Sequence, residues 1–218
     1  MTTFALIPVK ELDRAKARLS AVLDQPSRHA LALAMFRDVL AAAKGCAALD
    51  GVRVVSRDAE VLDVAAQAGA EGLAEPGGLN EALASAAEKL RARGVDRIVV
   101  LAADMPLADA ASIAALLEID ADVAVARAHD RGTGALALRT GAVPFRFGPD
   151  SARLHAEAAA QAGLRCVTVD LPALALDVDT PEHLEELARA IERGEAAGAH
   201  TLAALARIGL APPARKAP

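Results

Sequence analysis

The chain has 218 residues, 54% of them hydrophobic and 2% aromatic, and a formal net charge of −5. That length supports one domain with a sizeable aliphatic core. The lack of Trp and Tyr and the acidic balance exclude the stacking platforms and basic surface that nucleic-acid binding uses.

Two cysteines, Cys46 and Cys166, form neither a disulfide framework nor a zinc pattern, which points to a reducing compartment. The N-terminal MTTFALIPVK has no basic lead and no long apolar segment, and no apolar run reaches membrane-spanning length. The expected setting is soluble and cytoplasmic, with no membrane partner.

The elements alternate. Residues 4–9 read as a buried strand, followed by a polar loop, KELDRAKAR, at 10–18. Residues 25–44 have helical periodicity, with Leu31, Met35 and Val39 on one apolar face. A second strand is expected at 52–56. Asp58 is placed to cap a helix that runs to about residue 67 and is closed by Gly69. A short strand at 72–74 precedes the chain break EPGG, and Asn80 is placed to cap a helix at 80–91. Residues 97–102 are expected to form a strand whose apolar run, from Ile98, stops at the carboxylate of Asp104, and a helix-like segment follows at 108–117. Further strands are expected at 122–127, 135–138 and 165–169, with a loop passing into a helix between 149 and 163. Residues 175–179 read as short and extended. Thr180, Pro181 and Glu182 start another helix, as a capping hydroxyl, a first-position proline and a first-turn acid. A final helix is expected within 196–210, ahead of a disordered tail at 211–218. The alternation predicts an α/β fold. Its sheet is mainly parallel, with helices on both faces and a mixed later half.

Four groups of residues carry potential chemistry. Lys10, Arg14, Lys16 and Arg18 cluster just past the first strand, where they could neutralise a polyphosphate; they also read as a solvated basic face balanced by Glu11 and Asp13. The loop EPGGLNEAL permits close backbone approach to a ligand, or is a plain turn and cap. It is not a Walker A loop, and no G-x-G-x-x-G follows the first strand. Asp177 and Asp179 lie two residues apart, so an extended chain would put both on one face. Paired carboxylates need a compensating cation, and with Asp104 they form a candidate Mg2+ set. Finally, Thr133 and Gly134 enter a strand while Gly148, Asp150 and Ser151 start a helix, together a candidate anion site. An ordinary cap by Asp150 or Ser151 is the alternative there. Arg131, Arg146, Arg153 and His155 add positive potential. His129 and His155 flank that site, while His29 and His183 read as helix-surface residues.

The ordered set PVKELDRAKARL, GGLNEAL, LAADMPL, DRGTGALAL, FRFGPDSARLH and LDVDTPEHL resembles the guanylyltransferases of coenzyme F-420 biosynthesis. Members of that family activate 2-phospho-L-lactate, phosphoenolpyruvate or 3-phospho-D-glycerate with GTP. The resemblance implies a single domain over residues 1–210 with the nucleotide-diphosphosugar transferase fold, a Rossmann-like three-layer sandwich. It implies Mg2+ on Asp104, Asp177 and Asp179, and the phosphorylated acid on Thr133, Gly148 and Ser151. Lys10, Lys16 and Arg18 would meet the GTP phosphates, with Lys10, Lys16 and Asp104 catalytic, and Gly78, Leu79 and Asn80 the nucleoside. A homodimer is suggested by the family alone. Three positions depart from the usual pattern: Gly134 for asparagine, Ala17 for serine and Asp150 for glycine. Two rivals remain. One is a molybdenum-cofactor nucleotidyltransferase, whose glycine-rich first loop is missing here. The other is a non-catalytic nucleotide-binding domain.

Overall fold

The computed structural model describes residues 1–74 and 77–210. Its strands are β1 (Thr3–Pro8), β2 (Gly51–Val55), β3 (Glu71–Leu73), β4 (Arg97–Leu101), β5 (Val123–Arg127), β6 (Thr133–Arg139) and β7 (Cys166–Val169). They form one sheet in the order β3-β2-β1-β4-β6-β5-β7. β6 runs antiparallel to both β4 and β5, and every other pairing is parallel. The helices are α1 (Gln25–Gly45), α2 (Ala59–Gln67), α3 (Leu79–Ala92), α4 (Ala110–Leu117), α5 (Ser151–Gln161), α6 (Pro181–Glu192) and α7 (Ala199–Arg207). This is the mixed, mainly parallel α/β sandwich expected from the alternation.

Strand periodicity separates two cores. Ala5, Ile7, Val99 and Leu101 face a layer that includes Leu40, Val61 and Ile113 from α1, α2 and α4. Leu6, Ile98 and Val100 face the opposite layer, with Leu83, Ala86 and Leu90 of α3 and Ala152 and Ala159 of α5. Because the sheet is covered on both faces, its strands are nearly continuous apolar runs. A third cluster packs the other side of α1, through Leu31 and Met35, against Leu187 of α6 and Leu205 of α7.

Several local expectations change. The 10–18 loop is not irregular throughout: it holds 3-10 turns at Leu12–Arg14 and Ala17–Ala21. Residues 175–179 pair in no sheet and follow a 3-10 turn at Pro172–Leu174. Asn80 lies inside α3; Gly78 holds the N-cap position, and its N–H donates to the Glu81 carboxylate at 3.1 Å. Neither Asp150 nor Ser151 caps α5 with its side chain. Asp150 is left-handed at φ 58° and pairs with Arg153. Asp58 does cap α2, and its second oxygen accepts from Leu12 N at 2.8 Å, tying the first loop to α2. Thr180 caps α6 as expected. The 211–218 tail, and Glu75 and Pro76 of the EPGG break, lie outside the described residues.

One buried carboxylate fixes the C-terminal helix. α7 begins at Gly198, which has no side chain to cap it. Asp38 of α1 supplies the acceptors instead, taking N–H bonds from His200 at 3.0 Å and Thr201 at 2.7 Å. A Cβ on Gly198 would overlap the Asp38 carboxylate, so the close approach requires glycine. Asp38→Ala would leave two N–H groups of a helix start unpaired, that of Thr201 in a buried place. The expected loss is about 2–3 kcal/mol in urea unfolding; a loss below about 0.5 kcal/mol would show that water replaces the carboxylate.

Candidate active site

In open α/β sheets ligands bind beyond the carboxyl ends of the strands, where the strand order reverses. Here that point lies between β1 and β4. The Lys10–Arg18 loop leaves β1, and Asp104 follows β4. β6 runs the other way, so its first residue, Thr133, arrives at the same edge; Leu101 of β4 is in register with Ala135 of β6. Ala102 N donates to Gly134 O at 2.9 Å and Val178 N donates to Asp104 O at 3.1 Å. These bonds bring the 133–134 and 176–179 segments against the end of β4.

The carboxylates meet around an ammonium. Lys16 adopts a left-handed backbone, φ 55°, and its side chain is only 6% exposed. Its Nζ lies 2.5 Å from Asp104 Oδ2 and 2.6 Å from Asp179 Oδ1. Burial works against that charge, but Asp104 and then Asp179 outweigh it and hold the Lys16 pKa above 10.5. Burial likewise opposes ionisation of Asp179, yet Lys16, with Arg18 and Lys10 nearby, depresses its pKa. Lys10 and Arg18 themselves are exposed.

Asp177 has no such partner. Burial first, then the negative charges of Asp104 and Asp130, push its carboxyl up to about 6. Its Oδ1 is buried without a hydrogen-bond partner. Among the described residues no three His, Cys, Asp or Glu side chains form a ready-made metal cage; Lys16 stands between two of the three expected ligands. The donor chemistry nevertheless suits a hard cation, with an orphaned buried carboxylate oxygen beside Asp104 and Asp179. His183, read from sequence as a surface residue, accepts the Asp179 N–H on Nδ1 at 3.2 Å and so holds this segment.

The second half of the site is a buried polar network. Thr133 Oγ1 lies 3.0 Å from Ser151 Oγ and 3.1 Å from His155 Nδ1. His155 Nε2 accepts from Arg146 N at 3.0 Å. Phe147 packs edge-on against the His155 ring, with centroids 4.9 Å apart. Asn80 grips Phe147 from α3, accepting its N–H at 2.8 Å and donating to its carbonyl at 3.0 Å. Both ends of the Asn80 amide therefore engage protein backbone. Gly148 follows at φ 143°, a conformation open chiefly to glycine. Thr133, Gly148 and Ser151 are thus brought together as the sequence grouped them. His155 is more tightly built in than the sequence suggested. The available signal was its spacing: Ser151 and His155 are four apart on one helix and share a face.

Gly134 also has a physical reason. A Cβ there would overlap the Leu174 carbonyl oxygen and meet the Met105 sulfur at 3.1 Å. Any side chain at this position would require the Pro172–Leu174 turn to shift.

A crystal structure described as a nucleotide-diphospho-sugar transferase from Desulfovibrio desulfuricans superposes with a TM-score of 0.80, covering 95% of each chain at 22% identity. A cytidylyltransferase from Leptospira borgpetersenii superposes at 0.58, covering 95% of this chain and 94% of that one at 15% identity. The fold is that of the Rossmann-like nucleotidyltransferases. Within that class, residues 3–211 match the family model "Guanylyl transferase CofC like", and the chain belongs to that family. It is 45% identical to a phosphoenolpyruvate guanylyltransferase from Rubrobacter xylanophilus over 193 residues, 86% of this chain and 94% of that one. It is 38% identical to a 2-phospho-L-lactate guanylyltransferase from Methanothermobacter thermautotrophicus over 191 residues, 86% of this chain and 84% of that one. The family resemblance carried by the sequence motifs is therefore correct, and enzymatic activity of the nucleotidyltransferase type goes with it. No helix among the described residues is long and apolar enough to cross a membrane.

Two measurements probe this electrostatic layout. Asp177→Asn removes a buried charge that has no partner, so the variant should be more stable at neutral pH by on the order of 1–2 kcal/mol while losing activity. A variant less stable than the parent would mean that Asp177 has a partner in solution. Burial, and then Arg146, lower the His155 pKa from 6.5 to about 4. The fold therefore favours the neutral ring. That contribution is complete above pH 6.5 and is lost as pH falls through 4, on the order of 3 kcal/mol in all. The stability difference between the parent and His155→Asn, followed by denaturant titration, should shrink across that interval. A difference independent of pH would contradict a buried neutral imidazole.

Proposed function

We propose that the protein transfers GMP from GTP to the phosphate of a three-carbon phospho-acid, releasing pyrophosphate, as a step in coenzyme F-420 biosynthesis. Phosphoenolpyruvate is the acceptor favoured, because relatives at 45%, 40% and 37% identity bear that activity in their names. 3-Phospho-D-glycerate and 2-phospho-L-lactate are the alternatives. The observation that carries the reading is the strand-end pair of Asp104 and Asp179 on Lys16, with the unpartnered Asp177 carboxylate in the same segment and the Thr133–Ser151 hydroxyls at the same sheet edge.

The chemistry needs little proton transfer. The acceptor phosphate is already largely ionised near neutral pH and attacks the α-phosphorus in line, so positioning and charge compensation dominate. Mg2+ held by Asp104, Asp177 and Asp179 would offset the charge that builds on the α-phosphoryl group and the departing pyrophosphate. Lys16, released from the carboxylates, would turn to the phosphates. Lys10 and Arg18, exposed on the same loop, extend that positive edge toward them. Gly78, Leu79 and Asn80 open α3 beside the nucleoside, with Gly78 and Leu79 as the direct contacts. Thr133, Gly148 and Ser151 hold the acid. In this reading the protein works as a cytoplasmic homodimer.

The test is direct. Incubation with GTP, Mg2+ and each of the three acids should release pyrophosphate, fastest with phosphoenolpyruvate, and omission of Mg2+ should abolish it. Asp104→Asn should lower kcat by about 100-fold or more, the scale of losing an electrostatic contact to the reacting phosphates. Silence with all three acids would overturn the acceptor class. GTP binding without any turnover would favour a non-catalytic nucleotide-binding domain.

A further inference from the structure

We propose that His155 is a positioning residue for the acceptor: its ring donates to the Thr133–Ser151 hydroxyl pair and takes no proton from it, so that one hydroxyl proton is left for an acidic oxygen of the substrate. This deepens the reading above and rests on it.

The argument is a count of donors. Arg146 N–H points at His155 Nε2 at 3.0 Å, so Nε2 must present a lone pair. In a neutral ring the proton then sits on Nδ1, which faces Thr133 Oγ1 at 3.1 Å. Thr133 is therefore an acceptor toward the ring. The two hydroxyls lie 3.0 Å apart and share one hydrogen bond. They carry two protons between them, and that bond uses one. If Ser151 donates to Thr133, the Thr133 proton is spare; if Thr133 donates, the Ser151 proton is spare. Neither hydroxyl has another partner among the described residues. The opposite tautomer would reverse the result. A lone pair on Nδ1 would take the Thr133 proton, Ser151 would donate to Thr133, and nothing would remain to donate.

The surroundings hold the ring to this one arrangement. His155 is fully buried. Phe147 packs against it at an interplanar angle of 69°, and Asn80 clamps the Phe147 backbone next to the Arg146 amide that sets the tautomer. The spare proton is buried with its hydroxyl, since Thr133 is 8% and Ser151 1% exposed. A buried donor without a partner is costly, and an anionic oxygen of a carboxylate or phosphate relieves it with a charge-assisted bond.

The experiment compares steady-state constants for GTP and for the acid. His155→Phe keeps a ring of similar size but neither donates nor accepts; it should raise the KM for the acid at least ten-fold and leave the KM for GTP within two-fold. His155→Asn restores a donor at the δ position and should recover most of that loss. In the parent enzyme, 15N NMR of the imidazole should show Nδ1 protonated and Nε2 bare. Equal changes in both KM values, an unchanged acid KM, or a proton on Nε2 would each overturn the assignment. Should His155→Phe fail to fold, the asparagine variant and the NMR measurement decide it. A parent enzyme silent with every acid overturns the proposed function, and this inference with it; an active parent with an unmoved acid KM overturns the inference alone.

Discussion

The site depends on one buried ammonium. Lys16 joins the loop after β1 to Asp104, 88 residues on, and to Asp179, 163 residues on. None of these segments is a strand or helix at the point of contact, so regular hydrogen bonding does not hold them together. The ion pairs do, aided by the Val178–Asp104 backbone bond. Three carboxylates cannot be gathered under a sheet edge without a compensating charge. Lys16 is placed for this by a left-handed backbone that costs on the order of 1 kcal/mol. The cost is set against two short contacts from a buried ammonium to carboxylates that stay partly exposed.

The antiparallel strand is the second constraint. In an all-parallel sheet the start of each strand lies at the far edge from the ligand. Reversing β6 brings the start of that strand, with its hydroxyl, beside the end of β4. The loop before β6 is held by Asp130, which accepts the Gly132 N–H at 2.7 Å, and Arg131 turns there at φ 70°. α5 then arrives with Ser151 and His155 on the face toward Thr133. Both halves of the site thus reach one edge without a second domain.

Much of this was legible in the residues. Apolar runs gave the strands because a sheet covered on both faces needs little alternation. Asp58 and Thr180 marked helix starts because capping is a local interaction. That Asp104 and Asp179 come together was legible from the end of one strand and the Asp177–Asp179 spacing, but the cation between them is Lys16. What stayed hidden was long-range. Asn80 looks like a cap by position, yet its partner is Phe147, 67 residues away. Asp38 reads as an ordinary helix residue until α7 folds against it. Lys16 reads as one of four basic side chains, and only packing selects it for burial. Gly134 looks like a loss of asparagine, whereas the Leu174 carbonyl leaves no room there for a Cβ.

The Asn80–Phe147 clamp has a consequence for how this enzyme can vary. In the proposed reading α3 lies on the nucleotide side and α5 on the acid side, and the two share a continuous run of bonds through Phe147, Arg146 and His155. Substitutions on either helix are therefore not independent perturbations, and their effects should depart from additivity. Positions far apart in the chain are bound to a common fate. A change at Ser151 or His155 is expected to alter the cost of a change at Asn80, even where it leaves nucleotide binding itself unmoved.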